Sequence, residues 1–344
     1  MKSAQLSMDR NGLDRRNVLA MSLLGGLAAA GPVSAADIQQ VGPGLSDPAR
    51  PPAPLPAMPI VDARYPAEIA PGVFVLPDKR IPLVPNVGII VGRDTVLVVD
   101  CGLGIESAEN VLEVTRRLAP GRRIVLTVTH AHPEHGFGAQ VFGTEGRIYY
   151  NRLQADYFAR SGATLLAGFR EGVLPSVQRQ LLDGVVLTPP DETYQGSAAM
   201  LDLGGRKVAF RNWGTAHSPG DQTVHLQPEG IVFAGDLIEE RMFPIVPLFP
   251  PMIQATDMDV SRWEVVLAEI IRMKPRLIVP GHGNFGGAEI AAGVIGYFKD
   301  VRAIVQTTAP QGVVPKEIIR AHYPTWENSQ FIAPAIGYFE QTRS

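Results

Sequence analysis

Three imidazoles and a carboxylate fall within six positions of one stretch, Thr129-His130-Ala131-His132-Pro133-Glu134-His135-Gly136, directly after the apolar run Ile124-Val125-Leu126-Thr127-Val128. Crowded at the end of a buried strand, such side chains cost roughly 1–3 kcal/mol each unless something satisfies them together. A metal ion does so. Neutral histidine nitrogens and carboxylate oxygens are the donors zinc takes in catalytic sites, where one coordination position stays open to water.

Four further strand-end positions carry the same kinds of group. Asp100 closes the run Val96-Leu97-Val98-Val99 before Cys101-Gly102, and Asp236 follows Ala234-Gly235. His217 lies in Gly214-Thr215-Ala216-His217-Ser218-Pro219-Gly220-Asp221, and His282 in Val279-Pro280-Gly281-His282-Gly283. Asp100 alone reads as a helix cap or turn residue, and any one of the four alone is a weak signal. Their shared position after β-branched runs, with five of the seven histidines gathered in three such loops, argues for one site. His225, on a strand pattern, and His322, near the C-terminus, lack flanking glycine turns and partner carboxylates and read as structural. Cys101 is the single cysteine; it permits no internal disulfide and reads as a small packing residue rather than a nucleophile.

The elements that must position these residues alternate in type. Three short β-branched segments, 73–76, 87–91 and 95–99, form an opening meander, followed by a helix over 105–118, broken at Pro120-Gly121, and the strand of the histidine motif. A strand over 147–150 precedes helices over 152–182, broken at Pro175 and longer than a simple crossover needs, so residues 152–183 read as a helical insertion near the site. Strands return over 199–203, 207–210, 223–226 and 231–234, then a helix over 257–272, a strand over 277–279 and a helix over 287–306. The order meander, helix, strand, helix occurs twice and predicts two α/β halves packed sheet to sheet with helices outside.

Residues 1–36 read as an address. Asp14-Arg15-Arg16-Asn17 precedes the uncharged run 18–30, and Val33-Ser34-Ala35 offers small residues for cleavage after Ala35 or Ala36, the pattern of a twin-arginine export signal. The run is shorter than the roughly 20 residues that span a bilayer, so a periplasmic protein with no stable membrane insertion after cleavage is expected. Residues 37–58 are dense in proline and read as an extended tether; residues 59–344 are the expected catalytic domain. A formal net charge of −3, with basic residues dispersed, excludes the footprint of a nucleic-acid binder. A hydrophobic fraction of 45% against 19% charged residues excludes disorder for most of the chain.

Between about residues 73 and 298, the five motif positions resemble those of the metallo-β-lactamase-fold hydrolase superfamily. The resemblance implies a four-layer αββα sandwich with two metals between the sheets. It puts His130, His132 and His217 on a first zinc, His135 and His282 on a second, with Asp236 bridging, and makes Asp100 the carboxylate that orients a ligand imidazole. Glu134 stands where most two-metal members carry Asp, one carbon–carbon bond further from the backbone, which leaves one or two Zn²⁺ per chain. Asp236 and Glu134 are the carboxylates placed in the catalytic centre. The chemistry implied is a metal-activated water attacking an acyl carbonyl of a small-molecule ester, thioester or lactam. The motif is similar to those of exported zinc hydrolases of the sulfur-oxidation-associated and quinoprotein-associated kind, and to periplasmic β-lactamases. Rival readings are a specific β-lactamase, a mononuclear iron enzyme of the persulfide dioxygenase kind using His130, His217 and Asp236, and a non-catalytic metal binder. The apolar stretch 242–252, with Met242, Phe243, Leu248 and Phe249, is expected to wall the substrate pocket. Ser218, Arg241 and Asn284 are near enough in sequence to grip a substrate carboxylate, though none is diagnostic.

Overall fold

The computed structural model describes residues 57–246, 249–308 and 314–342. The expected export signal, nearly all of the expected tether and Leu248 lie outside the described residues.

The first half opens with β1 (Ala67–Ala70), β2 (Val73–Leu76), β3 (Val87–Val91) and β4 (Thr95–Val99), an antiparallel meander. Helix α1 (Ile105–Leu118) then crosses over so that β5 (Arg123–Thr127) pairs with β4 in parallel, Val99 opposite Thr127. Two single turns follow, α2 (Pro133–Gly136) and α3 (Gln140–Gly143), and then β6 (Arg147–Asn151), parallel to β5. Helix α4 (Arg152–Gly168) runs on into a wide turn, Phe169–Val173, and a 3₁₀ segment, Ser176–Leu182. Residues 152–182 are thus largely helical. Strand β7 (Glu192–Tyr194) completes a seven-stranded sheet in the order β1 to β7.

The second half is a five-stranded sheet: β8 (Ala198–Asp202), β9 (Lys207–Thr215), β10 (Pro219–Leu226) and β11 (Ile231–Glu239) in antiparallel succession, with β12 (Leu277–His282) parallel to β11. Between β11 and β12 lies α5 (Val260–Arg272), and after β12 come α6 (Ala288–Thr308), α7 (Pro315–His322) and α8 (Ile332–Gln341).

Strand periodicity decides the layers. Val73, Val75, Leu97 and Val99 face Phe210, Val224, Phe233 and Val279 across the gap between the sheets. Their neighbours Leu76, Val96 and Val98 point the other way and pack under Ala108, Val111 and Val114 of α1. Trp263, Val266 and Ile270 of α5 and Val294 and Phe298 of α6 form the outer layer of the second half, with Ile319 of α7 and Phe339 of α8 packed on them. The result is the expected αββα sandwich. Six labelled elements escaped the sequence reading: β1, the single turns α2 and α3, β7, α7 and α8.

Candidate metal centre

All the strand-end residues of the sequence analysis converge at one rim of the sandwich. The chain leaves β5 at Thr127 and turns back at α2, where Pro133 occupies the first turn, a position at which its missing amide costs no hydrogen bond. That turn is pinned from three sides. The Cys101 amide donates to the His135 carbonyl at 2.9 Å, and the Gln222 amide donates to the Thr129 carbonyl at 2.9 Å. The Gln154 side chain, buried at the start of α4, donates to the carbonyls of Val128 and Thr129 at 3.0 and 2.9 Å.

Asp100 sits at φ +67°, the left-handed region that aspartate tolerates better than most residues. The turn aims its carboxylate at the histidine loop. Oδ1 accepts the Thr129 amide at 2.7 Å, and Oδ2 lies 2.9 Å from His135 Nδ1. The imidazole thereby donates from Nδ1 and turns Nε2 inward. His282 is set the same way by a backbone group, its Nδ1 2.8 Å from the Val84 carbonyl oxygen. The loop carrying His282 is tied to the first half by Asn86, which donates to the Pro280 and Gly283 carbonyls, and by Asp78, which accepts the Gly283 amide. Gly281 is required here: a Cβ at that position would stand 1.8 Å from Asp236 Oδ1.

His217 is held through Asp221, whose carboxylate accepts the amides of Ala216, His217 and Ser218 and the Ser218 hydroxyl. Burial pushes the Asp221 carboxyl up to about 7 against the pull of these donors.

Two groups of side chains result, His130, His132, His217 and Asp236 in one, Glu134, His135, Asp236 and His282 in the other, the donor atoms of each within 4.8 Å of one another. Asp236 belongs to both because its two oxygens face opposite ways. Oδ2 lies 3.7 Å from His130 Nε2 and 3.9 Å from His217 Nε2. Oδ1 lies 3.2 Å from His135 Nε2 and 3.6 Å from His282 Nε2. Glu134 thus reaches the second group despite its extra methylene.

The residues fit a divalent cation on their own chemistry. Seven buried polar atoms here have no hydrogen-bond partner: His130 Nε2, His132 Nε2, Glu134 Oε2, His135 Nε2, His217 Nδ1 and both Asp236 oxygens. So many orphans in one place is incompatible with an ordinary core. Burial lowers the His130 and His132 pKa values well below the usual histidine range and brings His217 to about 4, so these rings are neutral and have lone pairs to give. Burial alone would lower His135 too, but the carboxylates of Asp236 and Asp100 outweigh it and raise its pKa.

A cavity of about 570 Å³, within the usual range for small-molecule sites, opens directly onto His132, Glu134 and His282. Met242 and Phe249 line it, with Phe169, Ile245, Met252 and Ile253. Phe243 does not, a correction to the sequence reading. Its ring is fully buried against Tyr297, Tyr323 and Trp326, because the chain alternates faces past Met242 and sends it into the core of the second half. Ser218 is buried on Asp221, and neither Arg241 nor Asn284 lines the cavity. His225 is buried among Trp213 and Thr223, and His322 is half exposed on α7, both away from the cluster as expected. Cys101 is fully buried, and burial raises its thiol pKa beyond any nucleophilic range.

Sequence reasoning missed Asp221 as an anchor, although the motif around His217 contained it. It also missed Arg80 and Glu239 in the cavity wall, for which no local signal existed. Glu239 Oε1 accepts the Ile245 amide at 2.9 Å, while its Oε2 is buried without a partner.

The fold and this paired cluster define a metal-dependent hydrolase. The chain belongs to the metallo-beta-lactamase superfamily, whose family model matches residues 80–282. A curated relative, the acyl-coenzyme A thioesterase MBLAC2 of Gallus gallus, is 26% identical over 59% of this chain and 74% of its own length. Among solved structures, a metallo-beta-lactamase family protein from Thermus thermophilus superposes with a TM-score of 0.57 at 19% identity, covering 80% of this chain and 94% of that one. A metallo-beta-lactamase from Pontibacter korlensis does so with a TM-score of 0.52 at 17% identity, covering 67% and 97%. These likenesses carry the fold.

Proposed function

We propose that this chain is an exported, zinc-dependent hydrolase of acyl esters or thioesters with an apolar acyl group. The observation that carries the reading is the apolar cavity ending on His132, Glu134 and His282. His130, His132 and His217 with one oxygen of Asp236 would hold one ion, and Glu134, His135 and His282 with the other oxygen a second. The donors are the nitrogen and oxygen set zinc prefers. Bound there, such ions bring the pKa of a water toward 7 and polarise a substrate carbonyl.

The chain's own contribution is positioning and exclusion of water. Asp100 and the Val84 carbonyl keep the lone pairs of His135 and His282 directed inward. Phe249, Met252 and Ile253 give the acyl group a dry wall. Burial, together with the charge of Asp236, raises the Glu239 pKa, and its buried Oε2 at the cavity wall has no partner among the described residues. The thioesterase relative supports a thioester among the substrates.

A β-lactamase reading asks for a cation to grip the substrate carboxylate. Arg80 is the one Lys or Arg among the described lining residues, and Glu240 and Glu327 already engage it, which favours the ester and thioester reading. The test is metal analysis of protein purified without added metal, followed by assays on a p-nitrophenyl ester, an acyl-coenzyme A and a chromogenic cephalosporin, each with and without chelator. Chelator-sensitive ester or thioester turnover with one to two zinc per chain is expected. Cephalosporin turnover above roughly 10⁴ M⁻¹s⁻¹, the low end for evolved enzymes, would make it a lactamase instead, and one iron with no hydrolysis would move it to the oxygenases. The twin-arginine pair supports export; replacing Arg15 and Arg16 by Lys should retain the protein in the cytoplasm on cell fractionation.

A further inference from the structure

One wall of the cavity comes from the connection between α7 and α8, beyond residue 282 where the family match ends. This connection is built into the fold by backbone pairing. The Phe243 amide donates to the Glu327 carbonyl at 3.0 Å, and the Glu327 amide to the Arg241 carbonyl at 3.1 Å. Arg80 locks the same point. Its Nε donates to Glu327 Oε1 at 2.8 Å, and its other nitrogens donate to Glu240 Oε2 and to the Glu240 and Arg241 carbonyls. Asn328 then turns the chain in the left-handed region, φ +62°, and brings Gln330 and Phe331 to the cavity, where the Phe331 ring meets that of Phe249 edge-on with centroids 6.4 Å apart.

We propose that residues 327–331 are one wall of an acyl-binding cavity and make the site selective for a long, uncharged acyl group. The selectivity for length follows from the apolar surface that the paired rings of Phe331 and Phe249 add to the cavity lining. The selectivity against charge follows from Arg80: its guanidinium is committed to Glu240 and Glu327, and the other charged-type side chains of the described lining are acids and histidines. A carboxylate at the end of the acyl chain meets no free cation there and loses its hydration. The proposal rests on the acyl-hydrolase reading and specifies its substrate.

The test uses the full zinc-loaded chain with p-nitrophenyl acetate, p-nitrophenyl octanoate and the mono-p-nitrophenyl ester of suberic acid, which carries a terminal carboxylate. Each buried methylene is worth about fourfold, so octanoate should exceed acetate in kcat/KM by at least about tenfold, with the suberate ester far below octanoate. Phe331→Ala should lower the octanoate value about fivefold and leave acetate within about twofold. Gln330→Trp, at an exposed position that tolerates the change in folding, should also shrink the octanoate preference by filling the wall. In parallel, decanol should raise the melting temperature of the native chain and do so less in Phe331→Ala. An octanoate preference unchanged in both variants, with equal decanol stabilisation, overturns the wall; suberate hydrolysed as well as octanoate overturns the selectivity against charge. If no ester is cleaved, the hydrolase reading fails and decanol alone decides the wall: Phe331-dependent stabilisation upholds it, and none overturns it.

Discussion

Asp100 Oδ2 and His135 Nδ1 stand 2.9 Å apart, both fully buried, and this single contact decides which nitrogen of the ring faces the metal cluster. Asn in place of Asp keeps the left-handed turn and can keep the Thr129 contact through its oxygen, but its amide donates to Nδ1 and forces the proton onto Nε2. Asp100→Asn should therefore bind metal about 10- to 100-fold more weakly with little change in fold. Competitive zinc titration with a chromogenic chelator measures it, and wild-type affinity would show that the tautomer is not set by Asp100.

Glu134 is placed with the second group only. Glu134→Ala should lower zinc stoichiometry from two toward one while the first site still fills, because His130, His132 and His217 are untouched. Atomic absorption on dialysed protein reports this directly. Unchanged stoichiometry would reduce Glu134 to a bystander of the turn.

Phe243 and Phe249 are six residues apart in one apolar stretch yet serve different ends. Phe243→Ala leaves a void among Tyr297, Tyr323 and Trp326 and should cost about 3–5 kcal/mol in urea unfolding. Phe249, only half-buried, should cost much less and instead raise KM for apolar esters several-fold. The idea is wrong if the two variants behave alike in both measurements.

His225 supplies a pH dependence remote from the cluster. The Trp213 indole donates to Thr223 Oγ1 at 2.9 Å, and His225 Nε2 lies 2.6 Å from the same hydroxyl oxygen. Burial lowers the His225 pKa to about 4, below its unfolded value of about 6.5. Between these values the unfolded chain binds the extra proton, so stability is full above about pH 6.5 and is lost as pH falls toward 4, by up to about 3 kcal/mol. Urea unfolding at pH 7.5 and 4.5 should show a smaller difference for His225→Gln than for the native chain; equal slopes would refute the link.

Much of the site was legible because its residues announce themselves: histidines and carboxylates that follow β-branched runs and are bounded by glycine seldom gather except around a metal. Asp100, His217, Asp236 and His282 were found that way, and so was the double strand-helix order of the fold. Residues that act through distance were silent. Arg80 and Glu327 are an ordinary charged pair until a separation of 247 positions closes into one ion pair. Phe243 was misplaced since hydrophobicity tells that a side chain is covered and not by what. Helices α7 and α8 were passed over because they are short, eight and ten residues, and α8 carries Pro334 in its first turn.

Each donor group draws on both sheets: His130, His132, Glu134 and His135 come from the end of β5, while His217, Asp236 and His282 come from the five-stranded half. An ion in either place is therefore a rivet through the sandwich, its grip set by the free metal concentration around the protein. The resistance of the two halves to being prised apart, by heat or by a protease acting on transiently opened chains, should then rise and fall with metal supply, about 2.7 kcal/mol for metal at a hundred times its dissociation constant. Starved of metal, the protein would lose durability along with activity.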